Sequence, residues 1–126
     1  MNKENLTKIV ALLINVAKVD EIYSGKEKDI IKKFIASFSY DDKECESILI
    51  EAEKLEADSI QLLQFTSVIK KETLEIKTEI IEHLWKIIIS DQSVDQYESN
   101  LMRRICGLIY FSDKLSGDIK IKLLKK

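Results

Sequence analysis

Apolar residues recur at the spacing of an α-helix in nearly every segment of this 126-residue chain, and no window alternates clearly enough to predict a β-strand. The chain has no proline and only three glycines, which argues against turn-dense all-β, collagen-like and proline-rich folds. Six apolar stripes and a weaker seventh segment predict helices. They begin near Leu6, Ile30, Cys45, Leu62, Ile80, Leu101 and Asp113. We therefore predict an all-α fold, a compact bundle of about seven helices whose neighbours pack antiparallel across short connections.

Length and composition narrow the class of protein. Residues 1–126 are the length of a single domain, and 45% hydrophobic with 33% charged residues is typical of a folded, soluble chain. A net charge of −2 argues against a nucleic-acid binder. The two cysteines, Cys45 and Cys106, lack zinc-site spacing, and we do not expect them to form a disulfide framework. The longest apolar stretches, such as residues 9–14, are far too short to span a membrane, so we expect a cytoplasmic protein that is not an integral membrane protein.

Charge is distributed unevenly along the chain. Residues 41–58 carry eight acidic residues and two lysines, whereas residues 114–126 carry five lysines and one acidic residue. Such runs are usually solvated helix faces, and the alternative is that they form docking surfaces.

An internal repeat gives more information than the composition. Residues 13–34 align without gaps onto residues 84–105, so that equivalent positions lie 71 residues apart. Both copies consist of a helix, then the pattern D-x-x-x-[SD]-x-x-E, then a second helix. The repeat predicts two related helical hairpins, formed by helices one and two and by helices five and six.

The two copies of this pattern resemble the hallmark of the TerB-like family, which is named for bacterial tellurite-resistance proteins and includes the N-terminal domain of the membrane co-chaperone DjlA. That hallmark is a pair of segments of the form A-D-G-x-[IVL]-[DS]-x-x-E-x-x-x-[IL], here residues 19–27 and 90–98. Glu21 and Gln92 stand where the family has glycine, so the loop geometry of the family does not transfer directly. The resemblance covers about residues 6–115.

The resemblance implies an all-helical fold, bacterial origin, and a link to tellurite or metal stress and to membrane-associated stress complexes. It brings no enzymatic activity with it. We therefore predict a non-enzymatic stress-response module that binds a protein partner, with a membrane-associated complex as one candidate. The alternative is a metal-handling protein or a hydrolase that uses the paired acidic motifs. The sequence does not determine the oligomeric state.

The acidic motif residues have two competing explanations. Ser24-x-x-Glu27 and Asp95-x-x-Glu98 have the form of capping boxes, which would explain them without any function. The first acidic residue of each motif, Asp20 or Asp91, continues an apolar stripe at the C-terminal end of a helix, where the helix dipole disfavours negative charge. Each therefore needs a compensating partner: the N–H groups at the start of the next helix, a basic side chain, or a cation.

A cation would be a hard one such as Ca²⁺ or Mg²⁺, because the motifs offer only oxygen ligands. The spacing does not match an EF-hand loop. The candidate ligands are Asp20, Glu21, Ser24, Glu27, Asp91, Asp95 and Glu98.

The remaining reactive side chains favour structural roles. His83 flanks an apolar stripe and is expected at the boundary of the core, while Trp85 has core spacing. Cys106 lies in an apolar helix, where a thiol is inert, and no nucleophile with a base can be assembled. Four basic residues follow the motifs on outer helix faces and are expected to be solvated, although they could contact acidic partners or lipid. They are Lys32, Lys33, Arg103 and Arg104.

Overall fold

A computed structural model describes residues 2–18, 23, 25–58, 62–90 and 96–125, with only the backbone at residues 96 and 97. Of these residues, 83% are helical and none is in a strand, which confirms the predicted all-α fold. There are seven helices in this part of the chain. They are α1 (Lys3–Ala17), α2 (Gly25–Ala36), α3 (Asp42–Ala57), α4 (Leu63–Ile69), α5 (Leu74–Ile89), α6 (Gln96–Ile109) and α7 (Asp113–Leu124).

Four of these helices begin at an N-cap residue whose side chain caps the helix. In each, the capping side chain accepts a hydrogen bond from the backbone N–H three residues later, which satisfies a donor that has no partner within the helix. The capping residues are Asn2, Asp41, Thr73 and Ser112. Asp41 and Glu44 form a complete capping box. By contrast, Leu62 precedes α4 without a side-chain cap. Asp58, a short polar residue of the kind that caps helix starts, is instead the C-cap of α3.

The repeat extends well beyond the two predicted hairpins. Asn2 and Thr73 are caps 71 residues apart, as are Asp41 and Ser112. The two non-glycine residues with positive φ in the described part of the chain, Ser39 (φ 70°) and Tyr110 (φ 59°), have the same separation. Each follows the second helix of its half, where a left-handed residue ends a helix and turns the chain. The first three helices and the last three are therefore two copies of one three-helix unit.

Helix α1 is the centre of the bundle. It packs against α2, α3, α4 and α5, and every residue from 9 to 14 is fully buried. A helix that is apolar on all sides is stable only when it is surrounded, and the two three-helix units together with α4 provide that cover. Its counterpart α5 packs on α1, α2 and α7 and keeps Glu82 and His83 partly exposed.

Helix α4 joins the two units. It is short, yet Phe65 and Ile69 are buried, and it packs against α1 from the first unit and α6 from the second. Helix α6 packs on α4 and α7, and its Met102 lines the same cavity as Trp85 of α5.

Trp85 is a core residue, as its spacing predicts. Its ring is 4% exposed, and the indole N–H donates a 2.9 Å hydrogen bond to Ser116 Oγ in α7. In the first unit the equivalent residues are Ile14 and Cys45, an apolar pair that is also buried. The second unit therefore has a hydrogen-bonded side-chain pair at positions where the first unit has two buried residues, one of which, Ile14, has no polar side-chain atom.

Replacing Trp85 by alanine should destabilise the protein by about 3–5 kcal/mol, because it removes a large buried ring and leaves Ser116 without its donor. Urea denaturation followed by circular dichroism measures the change. Leu63→Ala is the control, since Leu63 is 57% exposed and its removal should change stability by less than about 0.5 kcal/mol. A midpoint for Trp85→Ala equal to that of the wild type would contradict the core assignment.

Candidate functional site

Two of the seven predicted ligand residues lie in the described part of the chain. Glu27 is in the first turn of α2 and Glu98 in the first turn of α6, and they are 6% and 5% exposed. Both residues are therefore buried among the described part of the chain. A carboxylate is favoured at the start of a helix, where the dipole is positive.

The other five predicted ligands, Asp20, Glu21, Ser24, Asp91 and Asp95, lie outside the described residues. The predicted cation site and the two predicted capping boxes therefore stay predictions. Within the residues that are described, no three His, Cys, Asp or Glu side chains are grouped as metal ligands.

The described flanks of the two motifs meet at one end of the bundle. Lys26, next to Glu27 in the first motif, donates a 2.8 Å hydrogen bond from Nζ to the backbone carbonyl of Ser90, which directly precedes Asp91 of the second motif. The ammonium group stabilises the carbonyl end of α5, where the helix dipole is negative. We call this end of the bundle, with Tyr23, Lys26, Glu27 and Ser90, the motif end.

A group of polar side chains surrounds Tyr23 at the motif end and ties the first motif to α1 and α3. Lys18 Nζ contacts Glu56 Oε1 at 2.7 Å, and Asn15 Nδ2 donates to Glu56 Oε2 at 3.2 Å. Lys28 Nζ lies 3.6 Å from Glu53 Oε2. We call this group the Tyr23 cluster; its members are Asn15, Lys18, Tyr23, Glu27, Lys28, Glu53 and Glu56.

The Tyr23 ring lies close to two ammonium groups and three carboxylates. Lys28 Nζ is 5.0 Å and Lys18 Nζ 5.9 Å from the ring centroid, distances typical of cation–π contact. Burial, then Glu53 and more weakly Glu27 and Glu56, raise the pKa of the phenol well above its usual range. The hydroxyl oxygen is buried and, among the described residues, makes no hydrogen bond of ordinary geometry. Tyr23 is therefore a neutral phenol, and the cluster keeps one more carboxylate than ammonium groups.

Sequence reasoning missed most of the Tyr23 cluster. A signal for Glu56 was present, because Glu56 follows Leu49 and Ala52 at helical spacing and so continues the buried stripe of α3. The partners of Glu56 are 38 and 41 residues away in the sequence, and no local pattern predicts that pairing.

The other candidate groups have structural surroundings. His83 is half-buried, and its ring is 4.9 Å from that of Phe34. Nδ1 lies 2.7 Å from the Glu79 carbonyl oxygen, and since a carbonyl can only accept, Nδ1–H donates this hydrogen bond. This confirms the boundary position predicted for His83. Cys45 and Cys106 are free and buried, and burial raises the pKa of both thiols, which disfavours the reactive thiolate.

The basic residues on the outer faces lie where the sequence predicts. Lys33, Arg103 and Arg104 are exposed, whereas Lys32 is half-exposed and pairs with Glu46 of α3 at 3.3 Å. An ion pair of this exposure contributes little to stability. No helix in the described part of the chain combines the length and apolar character needed to cross a membrane.

Removing the Glu56 carboxylate should destabilise the protein by about 1.5–3 kcal/mol, the usual contribution of hydrogen bonds to a charged group of low exposure. Glu56→Ala is compared with Glu51→Ala in the same helix, since Glu51 is exposed and its loss should cost less than about 0.5 kcal/mol. Urea midpoints give both values. Equal midpoints for the two variants would mean that the Tyr23 cluster does not stabilise the motif end.

Comparison with known proteins agrees with this architecture. The family model described as "Tellurite resistance protein TerB" matches residues 6–120, which is nearly the whole chain. No curated protein and no solved structure matches at a significant level. The match includes both motifs, all of α2 to α6 and most of α1 and α7, so the chain belongs to the TerB family.

Proposed function

We propose that this chain is a non-enzymatic helical module of the tellurite-resistance type, which acts in stress response by binding a protein partner at the motif end. Membership of the TerB family supplies the functional class. The observation that carries the proposal is the Lys26–Ser90 hydrogen bond, because it places the described flanks of both family motifs at one end of the bundle. A surface assembled from two distant segments is well suited to recognition.

The sequence of the two motifs favours a partner or ion of positive charge, because residues 19–27 and 90–98 carry six acidic residues and one lysine. Glu27, Glu53 and Glu56 outnumber Lys18 and Lys28 around Tyr23. We further propose that a divalent cation, Ca²⁺ or Mg²⁺, binds at the acidic motifs. Such a site requires motif residues beyond the described part of the chain. Its ligands would come from Asp20, Glu21, Ser24, Glu27, Asp91, Asp95 and Glu98.

The double variant Asp20→Asn, Asp91→Asn tests the functional proposal in cells. Deleting the gene should lower tolerance to tellurite, and the wild-type chain should restore it, whereas the double variant should not. The matched control is Asp42→Asn, Asp113→Asn, which changes two exposed acidic residues at equivalent positions of the two units. Chain levels are compared by immunoblot. Tolerance that is unaffected by the deletion would contradict the proposed function.

The same double variant tests the cation separately. A ligand that binds only the folded state raises the melting temperature as its concentration rises. The wild-type melting temperature should therefore rise from EDTA to millimolar Ca²⁺, Mg²⁺ or Mn²⁺, and the double variant should abolish the rise. An unchanged wild-type curve would remove the cation and leave helix capping as the explanation for the acidic residues.

A further inference from the structure

An apolar groove runs between α5 and α7 on the surface of the second unit. Its volume is about 300 Å³. Phe111, Leu115, Ile119 and Ile121 supply its apolar surface, and Leu115 and Ile121 are 43% and 52% exposed. Lys122 and Lys125 lie along its rim together with a single acidic residue, Asp118. We call it the α5–α7 groove.

The first unit has an equivalent groove between α1 and α3, but its chemistry differs. Thr7, Ser47, Ile48, Glu51 and Lys54 line it, and each lies 71 residues before a residue of the α5–α7 groove. Lys3, Glu4, Lys8 and Asp58 add charges of both signs. The same backbone frame therefore carries a mixed-charge groove in one unit and an apolar groove with a basic rim in the other.

Two individual positions define this difference. Glu44 completes the capping box of α3, whereas the equivalent residue in α7 is Leu115, so α7 lacks the carboxylate that would complete its cap and exposes a leucine. Glu51 of the first groove is replaced by Lys122 in the second. Both differences add apolar surface or positive charge to the second groove, and among the equivalent lining pairs only Ser47, which is replaced by Asp118, changes in the opposite direction.

We propose that the α5–α7 groove binds an amphipathic helix of a partner protein, with an apolar stripe in the groove and acidic residues facing Lys122 and Lys125. The apolar residues require an apolar counterpart, and the basic rim complements acidic flanks. A groove between two helices accommodates a helix better than it does a flat bilayer surface. The net charge of −2 gives the chain no general attraction to anionic lipid. The proposal extends the proposed partner-binding role to a surface separate from the motif end.

A synthetic helix of about four turns provides the probe, with leucines along one face and glutamates on both sides of that stripe. Fluorescence anisotropy with the full chain measures its affinity, and amide shifts map its position. Ile121→Glu should weaken binding at least about tenfold, because it places a charge in the apolar contact. The matched control is Ile50→Glu at the equivalent position of the first unit, where Ile50 is 45% exposed; it should leave the affinity within about twofold.

A second variant tests whether the basic rim of the groove selects an acidic partner. Lys122→Glu, Lys125→Glu should shift the preference of the chain to a probe whose glutamates are replaced by lysines. Melting temperatures confirm that these surface variants remain folded. The proposal is overturned if the acidic probe does not bind, if Ile50→Glu weakens it as much as Ile121→Glu, or if the chain instead sediments with phosphatidylglycerol vesicles through Ile121. Amide shifts confined to the motif end would also overturn it while leaving the proposed function intact.

Discussion

The complete burial of α1 is the interaction on which the rest of the structure depends. Residues 9–14 are apolar on every side of the helix, so they must be removed from water in all directions at once. Neither three-helix unit does this alone, since α5 belongs to the second unit and α4 to the connection between the units. The two halves of the chain are thus held in one domain by a shared core helix.

Around that core the two units share a frame and differ in surface chemistry. The caps and the two left-handed residues repeat at the same spacing, so the backbone course is fixed by the same local rules in both. The first unit places carboxylates and lysines around Tyr23, and the second places an apolar groove beside lysines. The repeat thus gives both units one scaffold, and the substitutions between its copies give the two units different surface chemistry.

Much of this architecture follows from local sequence patterns. Helical periodicity predicts the helices, and short polar side chains predict the starts of α3, α5 and α7. The start of α4 was harder to predict because Leu62 provides no cap and tertiary burial of Phe65 determines the helix instead. The pairing of Lys18 and Asn15 with Glu56, and of Lys26 with Ser90, depends on how helices cross, which no periodicity encodes. For the same reason the sequence predicted two acidic motifs but not the tyrosine cluster beside the first.

Native-state hydrogen exchange measured by NMR tests the central position of α1 most directly. Amides that open only in global unfolding exchange with the full free energy of unfolding, whereas locally opening segments exchange with less. Because both units and α4 cover α1, the amides of residues 9–14 should exchange with the free energy obtained from urea denaturation, and those of the more exposed α7 with a smaller value. Exchange of residues 9–14 at a lower free energy than α7 would contradict the account.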